Sequence, residues 1–303
     1  MATRKRKEFF SCLDINHRFQ KQLKTLFDLV YAQVGRGIRN SIAAGVCKRE
    51  ELFVTSKLWN TYHHPQHVEA ACRKSLEDLG LDYLDLYLIH FPISLKFVPF
   101  DVRYPPEWLY DPSAEEKKME FQPVSVRDTW AAMESLVEKG LVRNIGLSNW
   151  NCQGLRDVFS YAKIRPSVLQ IEVHPYLQCE RLVRYAQSQG MLVTAFSPLG
   201  HGQSYAMLGY QDNVAIKEPV VVEIARNHGV TPAQVVLRWG VQRGCSVIPK
   251  SENVDRIKEN LNLDFTLTED DMERMKSLER GFRMNDPGNF CPKAFNTECP
   301  IWD

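Results

Sequence analysis

Short apolar runs and amphipathic stretches take turns along most of this chain. Residues 52–59 (LFVTSKLW) and 83–90 (YLDLYLIH) are short, apolar-rich and free of Gly and Pro, which reads as strand. Residues 64–79 between them carry a helical pattern. Residues 125–139 put Val126, Trp130, Met133 and Val137 on one face, the spacing of an amphipathic helix. The alternation continues with strands at 142–147, 167–173, 192–196 and 246–249. Helices are expected near 152–162, 179–189, 231–242, 251–260 and 268–280. Thr231 followed by Pro232 is an N-cap with proline at the first helical position. Thr268 with Asp271 three residues later is a capping pattern of the same kind. Several strands are continuously apolar, which suits parallel strands covered on both faces. Two α/β architectures satisfy this pattern, an open doubly wound sheet and a closed βα barrel.

No linker, repeat or low-complexity segment divides the chain, so residues 1–303 are expected to form one domain, with an atypical segment over 1–33. One long irregular stretch, 93–124, is rich in Pro, Tyr, Phe and acidic residues. A loop of that length inside a compact domain is usually functional, often a lid on the substrate side. The net charge of +1 argues against nucleic acid or a membrane surface as partner. No apolar run approaches the roughly 18 residues of a membrane span. The basic start, MATRKRK, leads into no apolar signal core. Eight cysteines are scattered without a C-x-x-C pair, which fits free thiols in a reducing compartment, and the expected location is the cytoplasm.

In a parallel barrel, reactive groups stand at the C-terminal ends of strands. Polar residues end these strands with regularity: Lys57, His90, Ser148 and Asn149, Gln170 and Glu172, Ser197, then Lys250 and Ser251. Each alone has an ordinary explanation. A strand-end lysine often snorkels to solvent, and a histidine in an apolar strand is often a satisfied core residue. Together they would place a cation, an imidazole, amides and hydroxyls on one rim. No G-x-G-x-x-G follows a strand; Gly35-Arg-Gly37 lacks the third glycine and has no strand before it, which argues against a Rossmann site.

The segments FVTSKLWN (53–60), DLYLIHFP (85–92), IGLSNW (145–150), LQIEVHPYLQ (169–178), TAFSPLG (194–200) and VIPKS…DRIKEN (247–260) resemble, in order and spacing, the aldo-keto reductase family. HFPISLKFVPFDVRYPP (90–106) and FRMNDP (282–287) are most similar to its xylose reductase and aldose reductase branch. The resemblance runs from Val34 to Asp286 and implies a (β/α)8 TIM barrel that reduces sugar-type aldehydes to alcohols with NADPH, NADH being possible. It implies Lys57 as the catalytic lysine and His90 as the imidazole that orients the substrate carbonyl. Ser148, Asn149 and Gln170 would hold the nicotinamide carboxamide, with Phe196 stacking on the ring where the family usually has Tyr. Ser197 and Leu199 would follow the pyrophosphate. Lys250, Ser251 and Arg256 would meet the 2′-phosphate, and Glu259 and Asn260 the adenine. Phe91, Trp108 and Asn285 would line the substrate pocket beside His90. Glu252 departs from the pattern by placing a carboxylate near that phosphate. No metal is implied, and monomers and homodimers both occur among similar proteins.

The N-terminal portion resembles a shortened form of the family. No tryptophan precedes Trp59, and residues 26–38 (LFDLVYAQVGRGI) are similar to the segment that carries the catalytic Asp and Tyr. Asp28 and Tyr31 are the candidates, three apart, closer than in the family pattern. Two readings follow: a working reductase in which Tyr31 donates the proton, or a catalytically silent NADPH-binding relative with a regulatory role.

Overall fold

The structure, a computed structural model, describes residues 31–200 and 215–302. Six strands form one parallel sheet: β1 (Thr55–Leu58), β2 (Leu84–Ile89), β3 (Val142–Ser148), β4 (Val168–Glu172), β5 (Leu192–Phe196) and β6 (Cys245–Ile248). Strands adjacent in space are adjacent in sequence, from β1 to β6 without a reversal. A doubly wound sheet reverses its strand order at a switch point, whereas an unbroken order is the winding of a βα barrel. The second architecture is therefore the one realised. Among the described residues, β1 and β6 form the sheet's two edges.

Most helices pack over one face of this sheet, while the last packs against the segment that follows β2. The helices are α1 (31–43), α2 (Pro65–Leu79), α3 (Val126–Glu138), α4 (Cys152–Tyr161), α5 (Glu180–Ser188), α6 (Pro219–His228), α7 (Pro232–Gln242), α8 (Val254–Leu261), α9 (Glu269–Lys276) and α10 (Pro287–Phe295). The capping residues act as the sequence suggests. Thr231 Oγ1 accepts from the Gln234 amide while the Gln234 side chain accepts from the Thr231 amide, a reciprocal box that starts α7. Thr268 and Asp271 do the same for α9. Helix α6 lies outside the sequence-based expectations, as does α10. Both begin at a proline, and α6 ends at Gly229 in the left-handed conformation, the terminal signals of a helix.

Side chains alternate across each strand, so the sheet has an outer, helix-covered face and an inner face. Tyr87 and Ile89 of β2, Ile145 and Leu147 of β3, and Leu169 and Ile171 of β4 point outward into the main core with Trp130, Met133 and Trp239. Leu86, Leu88 and Val168 form a separate cluster on the inner face. Gly146 belongs to that inner layer, where a Cβ would stand 2.8 Å from Leu88 Cδ2 and 2.5 Å from the Val168 carbonyl oxygen. Thr194 and Ser246 share an inner-face hydrogen bond of 2.8 Å between β5 and β6. Leu192 and Ile248, inner-face residues of those strands, remain 68% and 47% exposed, so the interior is open along this edge among the described residues.

Helix α1 closes on α2. Gly35 makes the contact possible, since a Cβ there would be 2.3 Å from the Leu79 carbonyl oxygen. Arg39 Nη1 donates to the same oxygen at 2.7 Å, satisfying one of the carbonyls left free at the α2 C-terminus. The glycine of residues 35–37 therefore serves helix packing.

Candidate active site

Strand alternation assigns the sides of β1. Leu58 is buried in the outer core and Ser56 Oγ lies 3.4 Å from Ser75 Oγ of α2, so both face the helices. Lys57 between them faces inward. Ile89 likewise faces outward, and His90 follows it inward just beyond β2. The two are neighbours: the Lys57 charge acts on the His90 imidazole, and the His90 amide donates to the Leu58 carbonyl at 3.1 Å.

Burial dominates their electrostatics. Loss of hydration pushes the Lys57 ammonium from 10.5 to about 8, and no carboxylate among the described residues forms an ion pair with it to offset this. The His90 imidazole is held well below its usual range, first by burial, then by the Lys57 charge and by His63. It is neutral at pH 7, a hydrogen-bonding group and not an acid reservoir.

Asn149 sits beside them at φ 65, the left-handed region that asparagine tolerates better than most residues. Its amide donates to the Gln170 carbonyl at 3.0 Å, and its Nδ2 donates to the His90 carbonyl at 2.9 Å and to Ser148 Oγ at 3.2 Å. This leaves Asn149 Oδ1 buried without a partner among the described residues. A buried unsatisfied acceptor costs about 1–3 kcal/mol, and such atoms are retained where something else satisfies them. Ser148 and Gln170 are paired in register on β3 and β4 and are both buried. Ser197, following Phe196, also takes a positive φ of 49 and begins the turn that carries Leu199.

An aromatic wall flanks His90. Trp59 meets His90 edge-on at 5.1 Å, Phe91 at 6.2 Å and Trp108 at 5.0 Å between ring centroids. Trp108 extends the contact to Phe290 of α10 at 5.4 Å. Trp59 Nε1 donates to the Glu107 carbonyl at 2.7 Å, tying the long loop to the end of β1. The wall thus contains two residues beyond the sequence-based candidates, Trp59 and Phe290. Trp59 follows Lys57 by two positions, so period-two alternation puts it on the same side. Phe290 comes from a distant helix and carries no local signal.

Glu172, fully buried, closes the other side of the interior. Its carboxylate accepts from the Met284 and Asn285 amides at 2.9 and 2.8 Å and pairs with His174 Nε2 at 2.9 Å. Burial alone would raise its pKa, but the His174 contact and the two amides outweigh that and hold it below the usual carboxylate value. The carboxylate therefore pins the segment that carries Asn285.

At the β6 end, Lys250 is 79% exposed and paired with Glu252 at 2.5 Å. Ser251 Oγ accepts from the Asn253 amide at 3.2 Å, and Asn253 Oδ1 in turn accepts from the Arg256 amide at 2.9 Å, capping α8. Arg256, Glu259 and Asn260 all lie on this short helix.

Tyr31 stands apart from these groups. Its hydroxyl lies 2.9 Å from Ser56 Oγ, on the helix side of β1, whereas Lys57 occupies the inner side of the same strand. The structure therefore does not bring Tyr31 to Lys57 and His90. Helix α1, held to α2 through Gly35, carries the ring to the outer face. Asp28 lies outside the described residues.

The family model described as "Aldo/keto reductase family" matches residues 29–280. The chain belongs to the aldo/keto reductase family. Within the family it is 47% identical over 263 residues to a probable NAD(P)H-dependent D-xylose reductase of Arthroderma otae, covering 85% of this chain and 79% of the relative. It is 49% identical over 260 residues to an NAD(P)H-dependent D-xylose reductase of Aspergillus niger, covering 84% and 80%. Among solved structures it is similar to the aldose reductase from Schistosoma japonicum, with a TM-score of 0.76, 37% identity, and coverage of 88% of this chain and 81% of that one.

Proposed function

We propose that this chain reduces aldehydes, including aldoses of the xylose type, to alcohols with NADPH, and that NADH also serves. The observation that carries this reading is the convergence of Lys57 and His90 on the inner face beside Asn149, whose buried Oδ1 has no partner among the described residues. An amide oxygen held rigidly at that place suits a carboxamide N–H, so the residues present fit a nicotinamide group. Ser148 and Gln170 would complete that grip, Phe196 would cover the ring, Ser197 and Leu199 would follow the pyrophosphate, and Lys250, Ser251, Arg256, Glu259 and Asn260 would take the adenosine end. When bound, NADPH supplies the hydride that reaches the carbonyl carbon.

The protein's own groups do the rest. His90, neutral and fixed by its aromatic neighbours, donates a hydrogen bond that orients the carbonyl oxygen. Trp59, Phe91 and Trp108 exclude water from the reacting centre, which strengthens each polar contact there. Asn285, pinned by Glu172, offers an amide to a hydroxylated substrate. The names of the relatives favour xylose and similar aldoses, and nothing in the comparisons supports the catalytically silent alternative. The test is NADPH oxidation by purified protein with xylose and glyceraldehyde, alongside quenching of tryptophan fluorescence by NADPH. Turnover dependent on both substrates is expected; cofactor binding without turnover would overturn the reading.

A further inference from the structure

Beyond α10 the chain folds back along the helix and sets two thiols side by side. Helix α10 ends at Asn296 in the left-handed conformation, and the Cys291 carbonyl accepts from the Asn296 amide and, at 3.4 Å, from the Thr297 amide. The reversed segment then lies against the helix. A Cβ on Gly288 would stand 3.3 Å from Pro300 Cα, so the missing side chain is what permits this approach. Cys299 precedes that proline, and Cys291 follows Gly288 by about one helical turn. The two side chains meet, with the Cys291 thiol hydrogen-bonded to the Cys299 sulfur. Both are buried, at 0% and 6% exposure, in one cluster with Phe91 and against Trp59, Trp108 and Phe290 of the aromatic wall. The same segment is tied to the long loop: Thr297 Oγ1 accepts from the Met119 amide at 3.0 Å, and Asn296 Nδ2 donates to the Glu116 carboxylate at 3.0 Å.

We propose that Cys291 and Cys299 form a reversible disulfide that fastens the returning segment to α10 and so sets the position of the aromatic wall. Its effect on turnover rests on the reductase reading; its formation does not. The pair is arranged for an ordered exchange. The hydrogen bond from Cys291 holds the Cys299 thiol below its ordinary 9.0, whereas the Cys291 thiol is raised, because losing its proton would forfeit that bond. Cys299 is therefore the first thiolate available, and Cys291 is the thiol that resolves. Cys299 also lies outside any helix or strand, on a segment that can lift without unwinding an element.

The oxidant is a small disulfide such as glutathione disulfide. The Cys299 thiolate attacks one of its sulfurs, the S–S bond breaks, and a glutathione thiolate leaves. Cys291 then gives up its proton and attacks the Cys299 sulfur, expelling a second glutathione. Two protein thiols are oxidised to one disulfide, one glutathione disulfide is reduced to two thiols, and the protein's two protons end on these. A disulfide holds its sulfurs at ~2.0 Å, closer than two unbonded thiols can stand. The contraction acts at Cys291, next to Phe290, whose ring meets Trp108 at 5.4 Å. The wall that receives the aldehyde shifts, while the residues assigned to the cofactor lie outside this cluster.

The experiment treats the full chain with glutathione disulfide, alkylates the remaining thiols and digests with trypsin without reduction. Trypsin cuts once between the two cysteines, after Lys293, so the disulfide joins peptide 284–293 to peptide 294–303. Mass spectrometry is expected to find this linked pair as the main oxidised product, lost on adding dithiothreitol and absent from Cys299→Ser and Cys291→Ala. The oxidised parent should show a KM for xylose or glyceraldehyde changed by about threefold or more, with NADPH affinity, read by fluorescence, within about twofold. Both variants should keep the KM of the reduced parent whether or not the oxidant is present. The proposal is overturned if no linked pair forms, if glutathione stays on Cys299 as a mixed disulfide, or if either cysteine pairs elsewhere. It is equally overturned if the linked protein keeps the KM of the reduced one. A reduced parent that turns over no aldehyde overturns the reductase reading alone. The shift of the wall is then read from tryptophan emission, and emission unchanged by the linkage overturns this proposal as well.

Discussion

Lys57 and Lys250 stand at opposite ends of the proposed cofactor path, and they are the same side chain in opposite surroundings. Lys57 is buried on the inner face without a carboxylate among the described residues, and its ammonium is held down near 8. Lys250 is 79% exposed and engaged with Glu252. Burial turns the first into a group that can exchange a proton near neutral pH. Exposure leaves the second in water, suited to attracting a phosphate and of little value to stability, since surface ion pairs contribute only about 0–1 kcal/mol. The rim is thus divided between a desolvated end for chemistry and a solvated end for recognition.

The sharpest way to break this contrast is Lys57→Met. Activity should fall by about a hundredfold or more, the usual scale for removing a general acid or its equivalent. Stability should move the other way. A lysine whose folded pKa lies below its unfolded value is penalised while it is charged, that is, at pH below about 8, and the penalty fades between there and 10.5. A depression from 10.5 to about 8 corresponds to ~3 kcal/mol at pH 7, an upper bound for the gain on substituting methionine. Chemical denaturation at pH 7 and pH 10 checks it: the gain should be large at the lower pH and small at the higher. A substitution that is neutral at both would mean that Lys57 is well hydrated, and the contrast with Lys250 would vanish.

His90→Ala tests the same end by a different route. It removes the oriented N–H and one element of the aromatic wall, so kcat should drop by about a hundredfold while NADPH binding persists. Retained activity in a steady-state assay would show that the carbonyl is oriented by another group.

Glu172→Gln probes how the buried half is held together. The substitution replaces a carboxylate by a neutral group that accepts more weakly from the Met284 and Asn285 amides, and should cost about 1–3 kcal/mol at pH 7. The folded carboxylate has a pKa below 4.5, so its stabilisation is complete above that value and is lost as the pH falls through the lower, folded pKa. The parent and the variant should therefore converge in strongly acid solution. A gap of constant size across that range would mean that the cost does not arise from the charge of the carboxylate.

These regions differ in how far they can be read from sequence. Lys57 and His90 follow from period-two alternation and from the polar ends of apolar strands, information contained in a few consecutive residues. The barrel-type winding follows from βα alternation once the strand order is known. Tyr31 is not legible in the same way, because its side of the sheet depends on how α1 packs against α2, and that depends on the close approach of Gly35 to the Leu79 carbonyl. Helix α6 is obscured by the β-branched run at 220–222, which argues for a strand, while Pro219 and Gly229 mark its ends. The aromatic wall joins Trp59 to Phe290 across most of the chain, a contact that local pattern cannot supply.

At the exposed end the expected effect is smallest and the most specific. Glu252 holds the Lys250 ammonium at 2.5 Å, and that contact in turn keeps its carboxylate below the usual range. A 2′-phosphate approaching Lys250 must compete with this carboxylate and also tolerate its charge. Glu252→Gln removes the competitor and keeps the shape, so the KM for NADPH should fall by about threefold while that for NADH, which lacks the phosphate, stays nearly constant. Because both groups are open to solvent, the gain should shrink as salt rises toward about 1 M, where screening acts within ~3 Å. Equal shifts for the two cofactors would mean that Glu252 acts on the shared adenosine portion and not on the phosphate. The exposed lysine would then lose its claim to select between them.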